Sequence, residues 1–164
     1  MNVFVLDLDH RLNAQWHVDR HVVKMPLELA QILCTVHHAN GTLDVPYRAT
    51  HRRHPCVLWA GDSRDNYSWA LALGIELCAE YTFRYGKVHG CQRVLSWCAD
   101  NRPAQEAGAM TPFFLAMPDE YKTTCPVMSY RNYYIGAKAH LFRWTRRDVP
   151  GWLQKDGQPV LHGG

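Results

Sequence analysis

Asn13-Ala-Gln-Trp-His17-Val-Asp-Arg-His21-Val-Val-Lys24-Met-Pro26-Leu-Glu28-Leu-Ala-Gln31-Ile-Leu-Cys-Thr35-Val-His-His38 carries two helical stripes at once. Val18, Val22, Met25, Leu29, Ile32 and Val36 recur at steps of four and three, the period of one buried helix face. His17, His21, Lys24, Glu28, Gln31 and Thr35 repeat the same steps one residue earlier and form a polar stripe. Asn13 is a good N-cap type, so the pattern predicts a helix from Asn13 to about His38. Pro26 lacks an amide proton and crowds the preceding turn, which predicts a kink near Val22 to Met25, or two abutting helices.

Upstream, Met1 to Leu8 is rich in residues that suit a strand or a buried N-terminal arm, and it has no hairpin partner. Downstream, Asn40 to Pro55 has the composition of a loop. Asp62 and Ser63 are cap candidates for a long helix through Tyr67, Leu71, Leu77 and Tyr81 to about Tyr85, where Gly86 can end it. Another helix is expected from about Val88 to Ala99. Arg102 to Pro126 holds five breakers, Pro103, Gly108, Pro112, Pro118 and Pro126, and predicts irregular chain. A last helix is expected from about Met128 to Trp144. The sum is a mainly α, compact, single-domain fold over residues 1–150, with an extended N-terminal arm and a loosely held tail at 151–164.

With 164 residues and 47% hydrophobic composition, the chain can bury a real core. Its formal charge is only +3, so any affinity for phosphate must come from local clustering. No apolar run reaches membrane-spanning length, and Met1 to Asp9 lacks the basic and apolar regions of a signal peptide, so a cytoplasmic protein with no membrane partner is expected. The six cysteines include no Cys-x-x-Cys pair and several fall within apolar patterns, which predicts buried free thiols and no cysteine zinc site.

Two histidines, a lysine and a glutamate on adjacent turns supply proton donors, acceptors and a nucleophile, although an ordinary exposed face has the same spacing. Lys24 beside His21 and Glu28 is a candidate Schiff-base amine. His17 and His21 also have the i, i+4 spacing of two metal ligands, but the glutamate that makes His-Glu-x-x-His diagnostic is absent. His51, Arg52, Arg53 and His54 cluster in the loop before the second long helix and suit phosphate. Arg84, Lys87 and Arg131 interleave with Tyr85, Tyr130 and Tyr134, rings that can stack on an exposed base while the cations hold phosphate. Glu120 sits in the breaker-rich loop within Pro118-Asp-Glu-Tyr-Lys122.

Asp19-Arg-His-Val-Val-Lys-Met-Pro-Leu-Glu28, His54-Pro55 before Trp59, Glu80-Tyr-Thr-Phe-Arg-Tyr-Gly-Lys87, Ala116-Met-Pro-Asp-Glu-Tyr-Lys122 and Tyr130-Arg-Asn-Tyr-Tyr134 resemble a family of small phage-encoded proteins without an assigned activity. The order of Met1-Asn-Val-Phe-Val-Leu6, Leu12-Asn-Ala-Gln15, the Glu28 helix and the paired terminal tyrosines also looks like the endonuclease V type of pyrimidine-dimer DNA glycosylase. That resemblance implies a helical body entered by the N-terminal arm. It further implies an α-amine that attacks the sugar C1′, a glutamate matched by Glu28 that assists, and a Schiff base that permits strand cleavage. Because Asn2 follows Met1, the amine belongs to Met1, or the role passes to Lys24, or the chemistry is absent.

Three readings follow. The first is a glycosylase/lyase acting on a nucleobase or nucleotide, DNA before RNA, without a cofactor. It has Lys24 or the terminal amine as nucleophile, Glu28 as acid/base and His21 as proton relay. Substrate contacts then fall to His17, His51, Arg52, Arg53, His54, Arg84, Tyr85, Lys87, Glu120, Tyr130, Arg131 and Tyr134. The second is a metal-dependent hydrolase or base-modifying enzyme built on His17 and His21. The third is a non-enzymatic module that binds nucleic acid or a host protein.

Overall fold

Asp9 accepts a hydrogen bond from the Leu12 amide and starts helix α1, His10–Trp16. The chain then breaks at His17 and Val18, both extended, and restarts as α2, Asp19–Ala39. Of the two expected outcomes the chain takes the second, two abutting helices, but the break falls at His17 and Val18, before Val22 to Met25. Pro26 lies inside α2 without ending it. A proline forfeits one ladder bond, and the fully buried Val22, Leu29, Ile32 and Leu33 around it hold the helix in place.

A computed structural model describes residues 1–155 and 158–159, with side chains to Leu153. After α2 come α3, Pro55–Asp62; α4, Arg64–Tyr85; α5, Gln92–Asp100; and α6, Pro126–Ala137. The molecule is mainly helical among the described residues, where the only strands are the two-residue pair Gln154–Lys155 and Gln158–Pro159. Helix α4 matches its expected limits: Ser63 Oγ accepts from the Asn66 amide, and Gly86 closes the helix at φ 65°. Helix α3 has no counterpart in the sequence expectation. His54 caps it and Pro55 occupies its first turn, the N-terminal place a proline tolerates. Helix α5 starts later than expected, and α6 ends at Ala137, short of Trp144, where Lys138 leaves helical geometry and a 3-10 turn, Ala139–Leu141, follows.

Helix α4 is the central element, packing against α1, α2, α3 and α5. The buried apolar side chains form one cluster, which includes Val3, Phe4, Val5 and Leu6 from the irregular first nine residues. Asn13, wholly buried, holds that segment: its Oδ1 accepts from the Leu6 amide and its Nδ2 donates to the Phe4 carbonyl, each at 3.1 Å. Asn13→Ala orphans two buried backbone groups, and urea denaturation is expected to show a loss of about 2–4 kcal/mol with little change in slope. An unchanged midpoint would count against this anchoring.

Five of the six cysteines are buried free thiols and Cys125 is exposed. Of the tail expected to be loosely held, Gly151–Leu153 forms a short 3-10 turn with Leu153 buried and the Trp152 ring beside Trp16 and Tyr134. Residues 156–157 and 160–164 lie outside the described residues. Among the described residues no helix is long and apolar enough to cross a membrane.

Candidate active site

Most of the polar stripe does not face water, Lys24 being its exposed member. His17, His21, Glu28 and Thr35 are buried, and the N-terminal segment lies over the first three. Phe4 stacks on His21 with centroids 4.5 Å apart and meets His17 edge-on, while Asn2 and Met1 reach Glu28. Sequence spacing alone cannot reveal this cover, because the stripe is offset from the core stripe by only one residue, about 100°.

Glu28 collects three nitrogens. Its Oε2 accepts from the Asn2 amide at 2.8 Å and lies 3.7 Å from the Met1 α-amine, while its Oε1 lies 3.1 Å from Lys24 Nζ. The carboxylate is nearly buried, the Met1 side chain is 5% exposed and that of Lys24 is 66% exposed. The Asn2 side chain is pinned as well: Nδ2 donates to the Ala116 carbonyl, and Oδ1 accepts from the Val3 amide and from the Tyr130 hydroxyl at 3.0 Å. One backbone turn at residues 1–2 is therefore clamped against one carboxylate by α2, α6 and the loop at 116. The α-amine and Lys24, alternatives for one role in the sequence reading, both approach Glu28, and Asn2 fixes the first of them.

His54 belongs to the same neighbourhood. Its Nδ1 accepts from the Cys56 amide at 3.1 Å, which leaves the proton on Nε2. Burial, then the Met1 amine and His51, lower its pKa, and Glu28 opposes them. His51, at φ 48°, with Arg52 and Arg53, is exposed on the turn that leads into it.

Several expected site residues serve the framework instead. His21 turns inward, Nδ1 lying 2.6 Å from the Tyr134 hydroxyl, and burial followed by the charges of His17, Lys138 and Lys24 lowers its pKa to about 3. The ring is thus held neutral at neutral pH, with Nδ1 committed to the Tyr134 hydroxyl. His17 is wholly buried with Nδ1–H on the Asn13 carbonyl at 2.7 Å, and burial lowers its pKa to about 4. Neither ring reaches substrate through that nitrogen. The two centroids are 6.3 Å apart, and among the described residues no three His, Cys, Asp or Glu side chains gather as metal ligands. The metal reading therefore lacks a third ligand.

Arg84 holds no phosphate, since its side chain is fully buried between Glu80 at 2.7 Å and Asp19 at 2.9 Å and also donates to the Gln15 carbonyl. Glu80 also takes Arg147. Burial favours the neutral Glu80 carboxyl, but Arg147 and Arg84 outweigh it and hold its pKa below the usual carboxylate range. Arg131 donates to the Leu6 carbonyl, approaches Asp7 at 3.4 Å and lies over the Trp16 and Trp152 rings. Tyr130 and Tyr134 are completely buried and cannot stack on a base. Lys87 and Glu120 are exposed, the first beyond the end of α4 and the second in the 3-10 turn Asp119–Tyr121. Tyr85 is half-buried and lines an open cleft at the start of α2.

Comparisons with protein-family models, curated proteins and solved structures give no match.

Proposed function

We propose that the protein is an enzyme acting on nucleic acid, DNA first, by N-glycosylase/lyase-type chemistry centred on Glu28. The observation that carries this reading is the pairing of one nearly buried carboxylate with two primary amines, at 3.7 Å for the Met1 α-amine and 3.1 Å for Lys24. The N-terminal segment laid along α2 and the resemblance to the endonuclease V type support it.

The amine nitrogen attacks C1′ of a deoxyribose, the N-glycosidic bond breaks, and its electron pair leaves with the base. Glu28 takes a proton from the attacking nitrogen and stabilises cationic character at C1′. Ring opening gives a protonated Schiff base; loss of a C2′ proton then expels the 3′ phosphate by β-elimination. On a site that has already lost its base, the same amine condenses with the C1′ aldehyde and releases water.

The α-amine is the better nucleophile. The clamp on residues 1–2 orients it against Glu28, whereas Lys24 is largely solvated. A chain starting at Asn2 would carry its amine at the nitrogen now 2.8 Å from Glu28, so either start leaves an α-amine on the carboxylate.

Borohydride trapping on an abasic duplex tests the reading. A covalent protein–DNA adduct is expected, retained in Lys24→Ala and lost when the N-terminus is acetylated; the mass of the trapped peptide identifies the first residue. Absence of an adduct with the unmodified protein, or an undiminished adduct after Lys24→Ala combined with acetylation, overturns it.

A further inference from the structure

An open cleft of about 570 Å³ lies where the first turn of α2, the end of α4 and the segment after α6 converge. Its walls combine rings and apolar groups, Tyr85, Phe142 and Val23, with three groups able to carry positive charge, Arg20, His140 and Arg143. Asp19 is the one acid in the lining, and its charge is already taken. Oδ1 accepts from Arg84 Nη1 at 2.9 Å and the Thr145 amide at 2.8 Å, and Oδ2 accepts from Thr145 Oγ1 at 2.7 Å. Arg143 touches Asp19 only at 3.5 Å and is 82% exposed, so most of its donor fork is free. Arg20 and His140 are exposed, and Val23 is 48% exposed among these charges.

The occupant that satisfies these walls is both aromatic and anionic. An aliphatic acid makes no use of Tyr85 and Phe142, rings that already tilt against Tyr81 and Trp144 at 5.0 and 5.1 Å, and an uncharged ring makes no use of two arginines. The cleft lies within the roughly 300–1,000 Å³ of pockets that hold small organic ligands. We infer that it is a nucleotide pocket separate from the Glu28 site, in which a base rests against Tyr85 and Phe142 and its phosphate lies on Arg20 and Arg143. Helix rise places Val23 and Arg20 roughly 8 to 12 Å from the buried Glu28 along the axis of α2, about 140° and 80° round the helix from it. That span equals two to three stacked steps of a strand at about 3.4 Å each. The pocket therefore holds an unstacked nucleotide near the reacting one in the same bound nucleic acid, and in this respect it rests on the reading of Glu28.

The probe is 2-aminopurine, whose fluorescence falls when it stacks on an aromatic ring. The free deoxynucleoside 5′-monophosphate is expected to be quenched with a midpoint of about 1 mM at low salt. The unphosphorylated nucleoside and the Arg143→Ala protein should each bind about tenfold more weakly. Val23→Trp fills the cleft from a half-exposed position and removes the signal, while Glu28→Gln leaves it within about twofold. In a duplex carrying a non-reacting abasic analogue, 2-aminopurine two or three positions from the analogue should respond, and Val23→Trp should abolish the response.

Absence of saturable quenching up to about 10 mM nucleotide, or quenching unaltered in both Arg143→Ala and Val23→Trp, overturns the pocket. Quenching by free nucleotide with the duplex silent at every position overturns its assignment to a bound strand. Adduct trapping at Glu28 is scored separately: nucleotide binding without an adduct removes the reading of Glu28 and leaves the pocket, and an adduct without nucleotide binding does the reverse.

Discussion

Glu28→Gln is expected to slow single-turnover cleavage of an abasic duplex by about 10²–10⁴-fold while binding of that duplex changes only a few-fold. The substitution keeps the size of the side chain and an oxygen for the Asn2 amide, 2.8 Å away in the native protein. It removes the negative charge and the proton acceptor beside the α-amine. Loss of rate with retained binding is the signature of a group that acts in the transition state. Acetylating the N-terminus should lower the rate at least as far, and Lys24→Ala by much less, since that amine is two-thirds exposed. Far-UV circular dichroism and a melting curve on each variant confirm the fold. A Glu28→Gln protein that cleaves within threefold of the native rate removes the carboxylate from the chemistry.

The second large effect is on stability. His17 and His21 have pKa values lowered to about 4 and about 3, in each case by burial first. In the unfolded chain both return to about 6.5. Above that pH both states are neutral and the two rings do not oppose folding. As the pH falls below 6.5 the unfolded chain takes up protons that the folded protein refuses, so stability declines continuously until the folded values are reached. At pH 5 the linkage amounts to about 2 kcal/mol for each ring, or about 4 kcal/mol together. Urea denaturation at pH 7.5, 6 and 5 measures it; His37, whose pKa burial also lowers to about 4, adds a third such ring, so His17→Gln should remove about a third of the pH dependence. Equal stability at pH 7.5 and 5 would show that these rings are not held neutral.

A further limb should open at lower pH. Burial favours the neutral Asp19 carboxyl, but hydrogen bonds from Thr145 and Arg84 prevail and hold its pKa below the ordinary value, as Arg147 and Arg84 do for Glu80. Their contribution is present above the unfolded carboxylate range and is lost as pH falls through the folded values. Protonation then uncouples Arg84, a buried cation whose two carboxylate partners lie on α2 and α4.

The sequence by itself determined the helical elements whose signals are local. Ser63 and Gly86 delimit α4 because a cap hydroxyl and a left-handed residue act within one turn. The apolar stripe from Val18 to Val36 faces the core because its period is that of a helix. The grouping of Lys24 with Glu28 follows from i, i+4 geometry. Helix α3 escaped because its eight residues are too few to show a period, although His54-Pro55 at its start was a readable signal.

What only the tertiary structure decided is which polar groups meet substrate and which meet each other. Arg84, Arg131, Tyr130 and Tyr134 have the composition of a nucleic-acid surface, yet each is consumed by partners from remote parts of the chain. Arg20, His140 and Arg143 carry no local motif and become a cleft only when α2 and the segment after α6 pack together. Helical periodicity fixes the angle of a side chain about its own axis; it holds no information about which distant segment lies above it. The N-terminal residues over the polar stripe convert His17 and His21 into core and bring an α-amine to Glu28, a pairing across 27 residues of chain that only packing specifies.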